Sequence, residues 1–157
     1  MTLSEAEARY GAIVGGVWAD AGKWVVKYIV PPDVAAVMIN TTTKQPTTHI
    51  YVNKDICQAL DKAFGNVIAR GLLSQLKSFD GCFEIRSVRG FQGSPSCHCY
   101  ALALDINAAE NALGTPGSMS PELVACFTDA GFDWGGNFTT RQDPMHFSLG
   151  WEGPTPA

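Results

Sequence analysis

The chain has 157 residues, enough for one domain with a substantial hydrophobic core and too few for two domains of ordinary size. Its 46% hydrophobic and 17% charged residues are typical of a folded globular protein and exclude a disordered or fibrous chain. The formal net charge is -4 and no stretch is rich in Lys or Arg, which argues against a nucleic-acid-binding surface.

From the sequence we expect neither a membrane span nor a signal peptide. No apolar run approaches the roughly 20 residues needed to cross a bilayer, so we expect no membrane insertion. Residues 1–9 are charged and helical in character, without the basic start and apolar core of a secretory signal. We therefore expect synthesis in the cytoplasm, with a separate route of release if the protein acts outside the cell.

The five cysteines do not indicate a disulfide framework. Their number is odd, no signal peptide accompanies them, and cytoplasmic thiols stay reduced. The chain also has no CxxC pair, which argues against a structural zinc site made of thiolates. We expect most of the cysteines to be small buried residues.

Hydrophobic periodicity predicts helices and short strands along the whole chain. Three helices are predicted, at residues 4–18, 54–77 and 120–130, the second capped by Asn53 and the third by Ser120. Strands are predicted at residues 24–30, 34–39, 49–52, 82–88, 101–106 and 145–149. This order predicts an α+β fold: a single domain over residues 1–157, with a small, mostly antiparallel sheet packed against helices.

The first segment that contains candidate functional residues runs from His98 to Asp105. In the predicted strand over 101–106, Ala101, Ala103 and Asp105 share one face, and three large apolar residues share the other. A face of small residues that carries a carboxylate suits a metal ion held against a strand. Because His98 lies an odd number of residues from Asp105, a turn before Ala101 must bring the two together.

The second segment is Asp143-Pro-Met-His146-Phe. Met145 and Phe147 can face the core while His146 points the other way, and Asp143 precedes His146 by three residues. Two imidazoles and one carboxylate with an open fourth position form a catalytic zinc arrangement. The alternative is that His98 and His146 are two separate histidines, each hydrogen-bonded near the surface.

Both segments resemble the paired motifs of one family of zinc peptidases. The matching patterns are Ser96-x-His98-x-x-Ala101-x-Ala103-x-Asp105 and Asp143-x-x-His146-Phe147. The family contains D-alanyl-D-alanine carboxypeptidases of the VanY type and L-alanyl-D-glutamate endopeptidases of bacteriophage lysins. The similarity covers about residues 83–147 and includes a middle segment similar to phage members. Residues 1–50 are an unassigned extension of the same domain.

One departure from the family pattern is visible, because the family usually has Gly where this chain has Ala101. Alanine demands a negative φ more strictly than glycine does, but it adds only a methyl group. We expect the substitution to be tolerated.

The resemblance implies a role for each site residue. Zn²⁺ would be held by His98, Asp105 and His146 and would lower the pKa of a bound water towards about 7. Asp143 would accept the proton of that water and pass it to the leaving amine. A cation would help to stabilise the oxyanion, and Arg89, at the end of the predicted strand before Gly90, fits that position better than Arg86.

The resemblance implies hydrolysis of peptidoglycan stem peptides as the function. The phage-like middle segment favours an L-alanyl-D-glutamate endopeptidase of the endolysin type. A D-alanyl-D-alanine carboxypeptidase and a catalytically silent, zinc-stabilised wall-binding or virion module are the alternatives. We expect a monomer that acts on the cell wall after release from the host, or as part of a virion.

Several other residues admit competing interpretations. Cys97 or Cys99 with His146 would make a nucleophilic cysteine peptidase, but that arrangement leaves Asp105 and Asp143 unexplained, and packing is the expected role of both thiols. We expect His49 to be a structural or surface residue. Trp134 is predicted either to line a substrate groove or to belong to the core.

Overall fold

The computed structural model describes residues 1–85 and 95–151. Within these ranges the α-helices are α1 (Leu3–Tyr10), α2 (Ala21–Trp24), α3 (Pro32–Val37), α4 (Cys57–Ala69) and α5 (Pro121–Thr128). The strands are β1 (Ile13–Val14), β2 (Val17–Trp18), β3 (Val25–Ile29), β4 (Ile39–Asn40), β5 (His49–Asn53), β6 (Ser78–Gly81), β7 (Ala103–Ile106), β8 (Asp133–Trp134) and β9 (His146–Ser148). Short 3₁₀ helices connect several of these elements.

The first predicted helix is shorter than expected. The sequence predicts a helix over residues 4–18, but α1 ends at Tyr10, where Gly11 has a φ of 87°. Positive φ angles at Gly15 and Gly16 then form the turn between β1 and β2. Glycine adopts these conformations without a steric penalty, so the glycines convert the second half of the predicted helix into a hairpin.

Three further predictions about elements are wrong in extent or type. Residues 34–39 are not a strand, because Pro32 occupies the first turn of α3 and its fixed φ favours a helix start. The helix predicted to run to residue 77 ends at Ala69, and Gly71 follows with a φ of 69°. The predicted strand over 82–88 is replaced by the earlier strand β6, and its residues 86–88 lie outside the described ranges.

The strands form small sheets, and the largest holds the motif-bearing segments. This sheet has five strands in the order β4-β6-β7-β9-β8. Its β4–β6 pair is parallel, whereas β6–β7, β7–β9 and β9–β8 are antiparallel. Separately, β3 and β5 form a two-stranded antiparallel sheet. The predicted α+β class with a small, mostly antiparallel sheet against helices is therefore confirmed.

Helices α4 and α5 pack behind the five-stranded sheet through stacked aromatic rings. Phe127 of α5 stacks on Phe147 of β9 with ring centroids 4.6 Å apart, and contacts Phe64 of α4 at 6.0 Å. All three side chains are fully buried. Burial of apolar surface stabilises the fold by about 25 cal/mol per Å², so these rings hold one face of β9 against the helices. The opposite face of β9 carries His146.

The N-terminal extension packs against the segment that carries His98. Tyr100 lies 4.9 Å from Trp18 and 5.5 Å from Tyr10, measured between ring centroids. Its hydroxyl donates a hydrogen bond of 2.6 Å to the carbonyl of Gly11. The extension and the motif-bearing core share one hydrophobic cluster, as a single domain requires. In the part of the chain that is described, no helix has the length and apolar character needed to cross a membrane.

Candidate metal centre

Two of the predicted ligands are neighbours across paired strands. In the antiparallel β7–β9 ladder, Asp105 lies directly opposite His146. Residues opposite each other in such a ladder point to the same face, so the carboxylate meets the imidazole. Oδ1 of Asp105 lies 3.2 Å from Nδ1 of His146. The strand register alone therefore brings together two of the three predicted ligands.

The third predicted ligand, His98, comes from a 3₁₀ helix over Cys97–Tyr100. The hydroxyl of Ser96 caps this helix by accepting a hydrogen bond from the backbone N–H of His98. Ala101 then reverses the chain in the left-handed conformation, with φ 55° and ψ 33°. This is the turn that the odd spacing of His98 and Asp105 demands.

The turn brings the His98 ring into contact with the other two side chains. Nε2 of His98 lies 3.3 Å from Oδ2 of Asp105 and 3.2 Å from Nδ1 of His146. One ligand atom from each of the three residues lies within 4.8 Å of the others. We name these three residues the His-Asp-His cluster.

A backbone carbonyl sets the orientation of His98. Nδ1 of His98 lies 2.7 Å from the carbonyl oxygen of Cys82. A carbonyl can only accept, so Nδ1–H is the donor, and in the neutral ring Nε2 keeps its lone pair facing Asp105 and His146. In many metal-binding histidines the ring nitrogen that does not bind the metal donates such a hydrogen bond, which fixes the tautomer. The sequence gives no signal for it, because the partner is a main-chain atom.

Burial makes the cluster chemically unusual. His98, Asp105 and His146 are all buried. Burial acts to raise the pKa of Asp105, but the charge of His98 and hydrogen bonds from both imidazoles outweigh it, so the pKa lies well below the usual range for a carboxyl. The carboxylate is therefore ionised. A metal ion bound here would displace the imidazole protons that pair with it and would accept a lone pair from each ring.

The donor set fits zinc. Two imidazole nitrogens and one carboxylate oxygen are borderline and hard donors of the kind that zinc binds, and three protein ligands leave the fourth position open. A cation between the three atoms also accounts for a buried carboxylate within hydrogen-bond distance of two rings. The structure thus brings the three predicted ligands together, and their role as zinc ligands stays a prediction.

The predicted base, Asp143, lies in the turn that leads into β9. Its backbone carbonyl accepts from the N–H of His146 at 3.0 Å, and its own N–H donates to the carbonyl of Gly135 at 2.9 Å. The residue is half-buried and its Oδ1 atom is shielded from solvent. Among the described residues it stands outside the three-residue donor group, and its role as the base stays a prediction.

The segment after β8 holds this turn in place. The indole N–H of Trp134 donates to the carbonyl of Pro144 at 2.8 Å, and the amide of Gln142 donates to the carbonyl of Gly136 at 3.1 Å. Trp134 is half-buried against the core. It therefore has the structural role that was one of the two predicted for it.

Gly135 is essential to this arrangement because it leaves space for the turn. A Cβ atom on Gly135 would lie 2.3 Å from the carbonyl oxygen of Asp143 and 3.1 Å from Cβ of His146. Gly135→Ala must therefore displace both residues, and we expect zinc affinity and turnover to fall by at least about 100-fold. We also expect a loss of about 1–3 kcal/mol of unfolding free energy. Equilibrium zinc titration and denaturant unfolding measure both.

Gly65→Ala is the matched control for that prediction. Gly65 lies on the exposed side of α4, and a Cβ there would have no neighbour within 4 Å. Alanine is the better helix former by about 1 kcal/mol, so this variant should be as stable as the parent or more so. Equal behaviour of the two variants would show that the space at Gly135 is unimportant.

The left-handed backbone at Ala101 gives a stability prediction. A left-handed conformation costs an L-residue about 1–2 kcal/mol, and the buried methyl group contributes about 0.8 kcal/mol. Ala101→Gly should therefore leave the unfolding free energy unchanged or raise it by up to about 1 kcal/mol. Ala103→Gly, equally buried but in strand β7, should lose about 1–2 kcal/mol. Equal losses in denaturant unfolding would contradict this account.

The remaining candidate residues are two arginines, the cysteines and His49. Arg86 and Arg89 lie outside the described residues, so the predicted oxyanion-stabilising cation keeps only its sequence argument. Cys97 and Cys99 are buried, and neither belongs to the donor group found among the described residues. All five cysteines lie in the described ranges and none forms a disulfide. His49 is exposed at the start of β5.

Comparison with known proteins agrees with the geometry. A family model described as D-alanyl-D-alanine carboxypeptidase matches residues 89–149, which is less than half of the chain. The match contains His98, Asp105, Asp143 and His146, and it confirms the predicted resemblance to this family of peptidases over that segment. The search of curated proteins and the search of solved structures each returned no match.

Proposed function

We propose that this protein is a zinc metallopeptidase that hydrolyses a peptide bond in peptidoglycan stem peptides. The observation that carries the proposal is the buried His-Asp-His cluster, which lies entirely within the segment similar to the carboxypeptidase family. That similarity supports a hydrolase of the metallopeptidase class. The zinc and the peptidoglycan substrate are parts of the proposal.

The chain supplies three zinc ligands and a base. When bound by His98, Asp105 and His146, zinc supplies a Lewis acid that makes water nucleophilic near neutral pH. The Cys82 carbonyl holds the His98 ring in the orientation that presents Nε2 to the metal. The Asp143 carboxylate accepts the proton of the attacking water and delivers it to the leaving amine. A main-chain hydrogen bond from the N–H of His146 to the carbonyl of Asp143 joins the two residues in one turn.

Arg89 is proposed as the cation that stabilises the oxyanion of the tetrahedral intermediate. The support is its position in the sequence before the histidine motif, together with its place at the start of the matching segment. Arg86 is the alternative, and a fixed positive charge in a site sheltered from water is worth several kcal/mol of transition-state stabilisation.

We propose the bond between L-alanine and D-glutamate as the scissile bond. The support is the resemblance of the segment between the two motifs to phage endopeptidases. A D-alanyl-D-alanine carboxypeptidase is the second candidate, because that is the description of the matching family. The two activities use the same metal and the same base, and they differ in where the substrate is held.

The test is release of new amino termini from purified peptidoglycan, with mass analysis of the fragments. Metal-loaded and chelated protein are compared side by side on walls of several chemotypes. Cleavage by the metal-loaded form alone, with a free D-glutamate amine exposed, supports the endopeptidase. Released D-alanine would assign the carboxypeptidase instead. Folded, zinc-bearing protein that cuts none of these walls would refute the enzymatic proposal and leave a silent, zinc-stabilised module.

A further inference from the structure

A cleft adjoins the His-Asp-His cluster, and most of its lining comes from the part of the chain outside the family match. Its volume is about 510 Å³. The wall is built from the two-stranded β3–β5 sheet on one side and from the ends of β4 and β6 on the other. The residues that line it are Val25, Asn40, His49, Ile50, Tyr51, Phe79, Gly81, Cys82 and Phe83.

The cleft and the cluster share a wall. Gly81 lies directly opposite Asp105 in the β6–β7 ladder, and the carbonyl of Cys82 accepts the hydrogen bond from His98. A Cβ on Gly81 would meet nothing within 4 Å, so there is open space at Gly81, next to the strand that carries Asp105. A substrate group next to the scissile bond can therefore enter this cleft.

The described part of the lining is uncharged. Among the described lining residues there is no Asp, Glu, Lys or Arg. Its polar side-chain groups are the amide of Asn40, the imidazole of His49 and the hydroxyl of Tyr51, and the other described side chains are apolar. Hydrogen-bonding groups beside apolar surface suit an uncharged polar ligand.

Two aromatic rings in the cleft remain accessible to solvent. Tyr51 is 53% exposed and Phe83 is 38% exposed, although each carries a large apolar surface. The His49 ring packs edge-on against Tyr51 at 5.7 Å and limits its movement. Flat rings of this kind pack against the C–H face of a pyranose, while amide and imidazole groups hydrogen-bond its N-acetyl and hydroxyl groups.

We infer that this cleft binds the N-acetylated sugar that carries the stem peptide. The inference rests on the proposed function and sharpens it. In peptidoglycan one residue, about 3.5 Å of extended chain, separates the sugar's lactyl group from the L-alanyl-D-glutamate bond. Four residues, about 14 Å, separate it from the D-alanyl-D-alanine bond. The cleft walls at Gly81 and Cys82 neighbour Asp105 and His98. A sugar subsite at that place therefore belongs to an enzyme that cuts next to the sugar.

The test measures binding separately from turnover. Zinc-loaded protein carrying Asp143→Asn is titrated with N-acetylmuramoyl-L-alanyl-D-isoglutamine and with the sugar-free dipeptide L-alanyl-D-isoglutamine. The sugar should lower Kd at least ten-fold. Adding Tyr51→Ala should bring the two Kd values to within about two-fold of each other, because the exposed ring contributes to the cleft and not to the core.

Ile29→Ala is the matched control. Ile29 is 66% exposed on the same two-stranded sheet, opposite His49, and does not line the cleft. This variant should keep the full preference for the sugar-bearing ligand. Equal Kd values for the two ligands in the parent protein would overturn the sugar subsite, as would a preference that survives Tyr51→Ala in protein with normal circular dichroism.

The subsite and the proposed function fail in different ways. Sugar-dependent binding without any cleavage of peptidoglycan would refute the peptidase and retain the subsite. Cleavage of peptidoglycan with no sugar-dependent binding would retain the peptidase and refute the subsite.

Discussion

Replacing Asp143 with asparagine is expected to lower turnover by about 100- to 10,000-fold while leaving zinc bound. The amide keeps the size and shape of the side chain but cannot accept the proton of the attacking water. The turn is held by main-chain hydrogen bonds from Asp143 to Gly135 and from His146 to Asp143, which the substitution does not touch. Release of amino termini from peptidoglycan measures turnover, and metal analysis of the purified protein measures zinc.

Asp129→Asn is the control for this variant. Asp129 is an exposed carboxylate that follows α5 and pairs with Arg70 at 2.8 Å, far along the fold from the cluster. Exposed pairs of this kind contribute little to stability, so full activity is expected. Unchanged turnover in Asp143→Asn would remove this residue from the mechanism. Joint loss of zinc and activity would instead make it a part of the metal site.

The pairing of the motifs could be predicted from sequence because strands impose a period of two. Asp105 alternates with Leu104 and Ile106, and His146 alternates with Met145 and Phe147, so each polar side chain opposes a buried apolar face. Periodicity does not predict the register that places Asp105 opposite His146. Register depends on the whole sheet, including the short edge strands that the periodicity did not show.

Glycine positions explain the two errors in predicted helix length. The apolar spacing of residues 4–18 and 54–77 continues past Gly11 and Gly71, and only the positive φ at each shows that the helix has ended. Ala101 is the opposite case, since an alanine gives no hint of a left-handed backbone. The family resemblance, with its usual glycine at that place, carried the one available signal.

The N-terminal extension was the part least accessible to sequence analysis. Residues 1–50 resemble no family, yet Tyr10 and Trp18 support the His98 helix through Tyr100, and β3 and β4 help to form the cleft. Long-range aromatic packing leaves no periodic mark in a single sequence. The extension therefore packs around the site as part of the same fold.

Zinc is expected to stabilise the folded protein, and Asp105→Asn is expected to remove that effect. Free zinc at about 1,000 times its Kd adds about 4 kcal/mol to the unfolding free energy, which corresponds to about 8–16 °C in Tm for a domain of this size. Asparagine is close in shape to aspartate but carries no charge to attract the cation. Thermal unfolding with zinc and with chelator, for both proteins, measures the difference.

Asp133→Asn is the matched control, because Asp133 lies in β8 of the same sheet, opposite Ser148 and outside the donor group among the described residues. Its zinc-dependent rise in Tm should equal that of the parent protein. An unchanged rise in Tm in Asp105→Asn would exclude Asp105 as a ligand.

A purely structural zinc site would give the same thermal result as an enzyme. Thermal stability therefore identifies the ligands, and the turnover of Asp143→Asn tests for catalysis. If zinc-dependent stability is lost only in Asp105→Asn and turnover with retained zinc is lost only in Asp143→Asn, the cluster holds the metal and the turn beside it supplies the base.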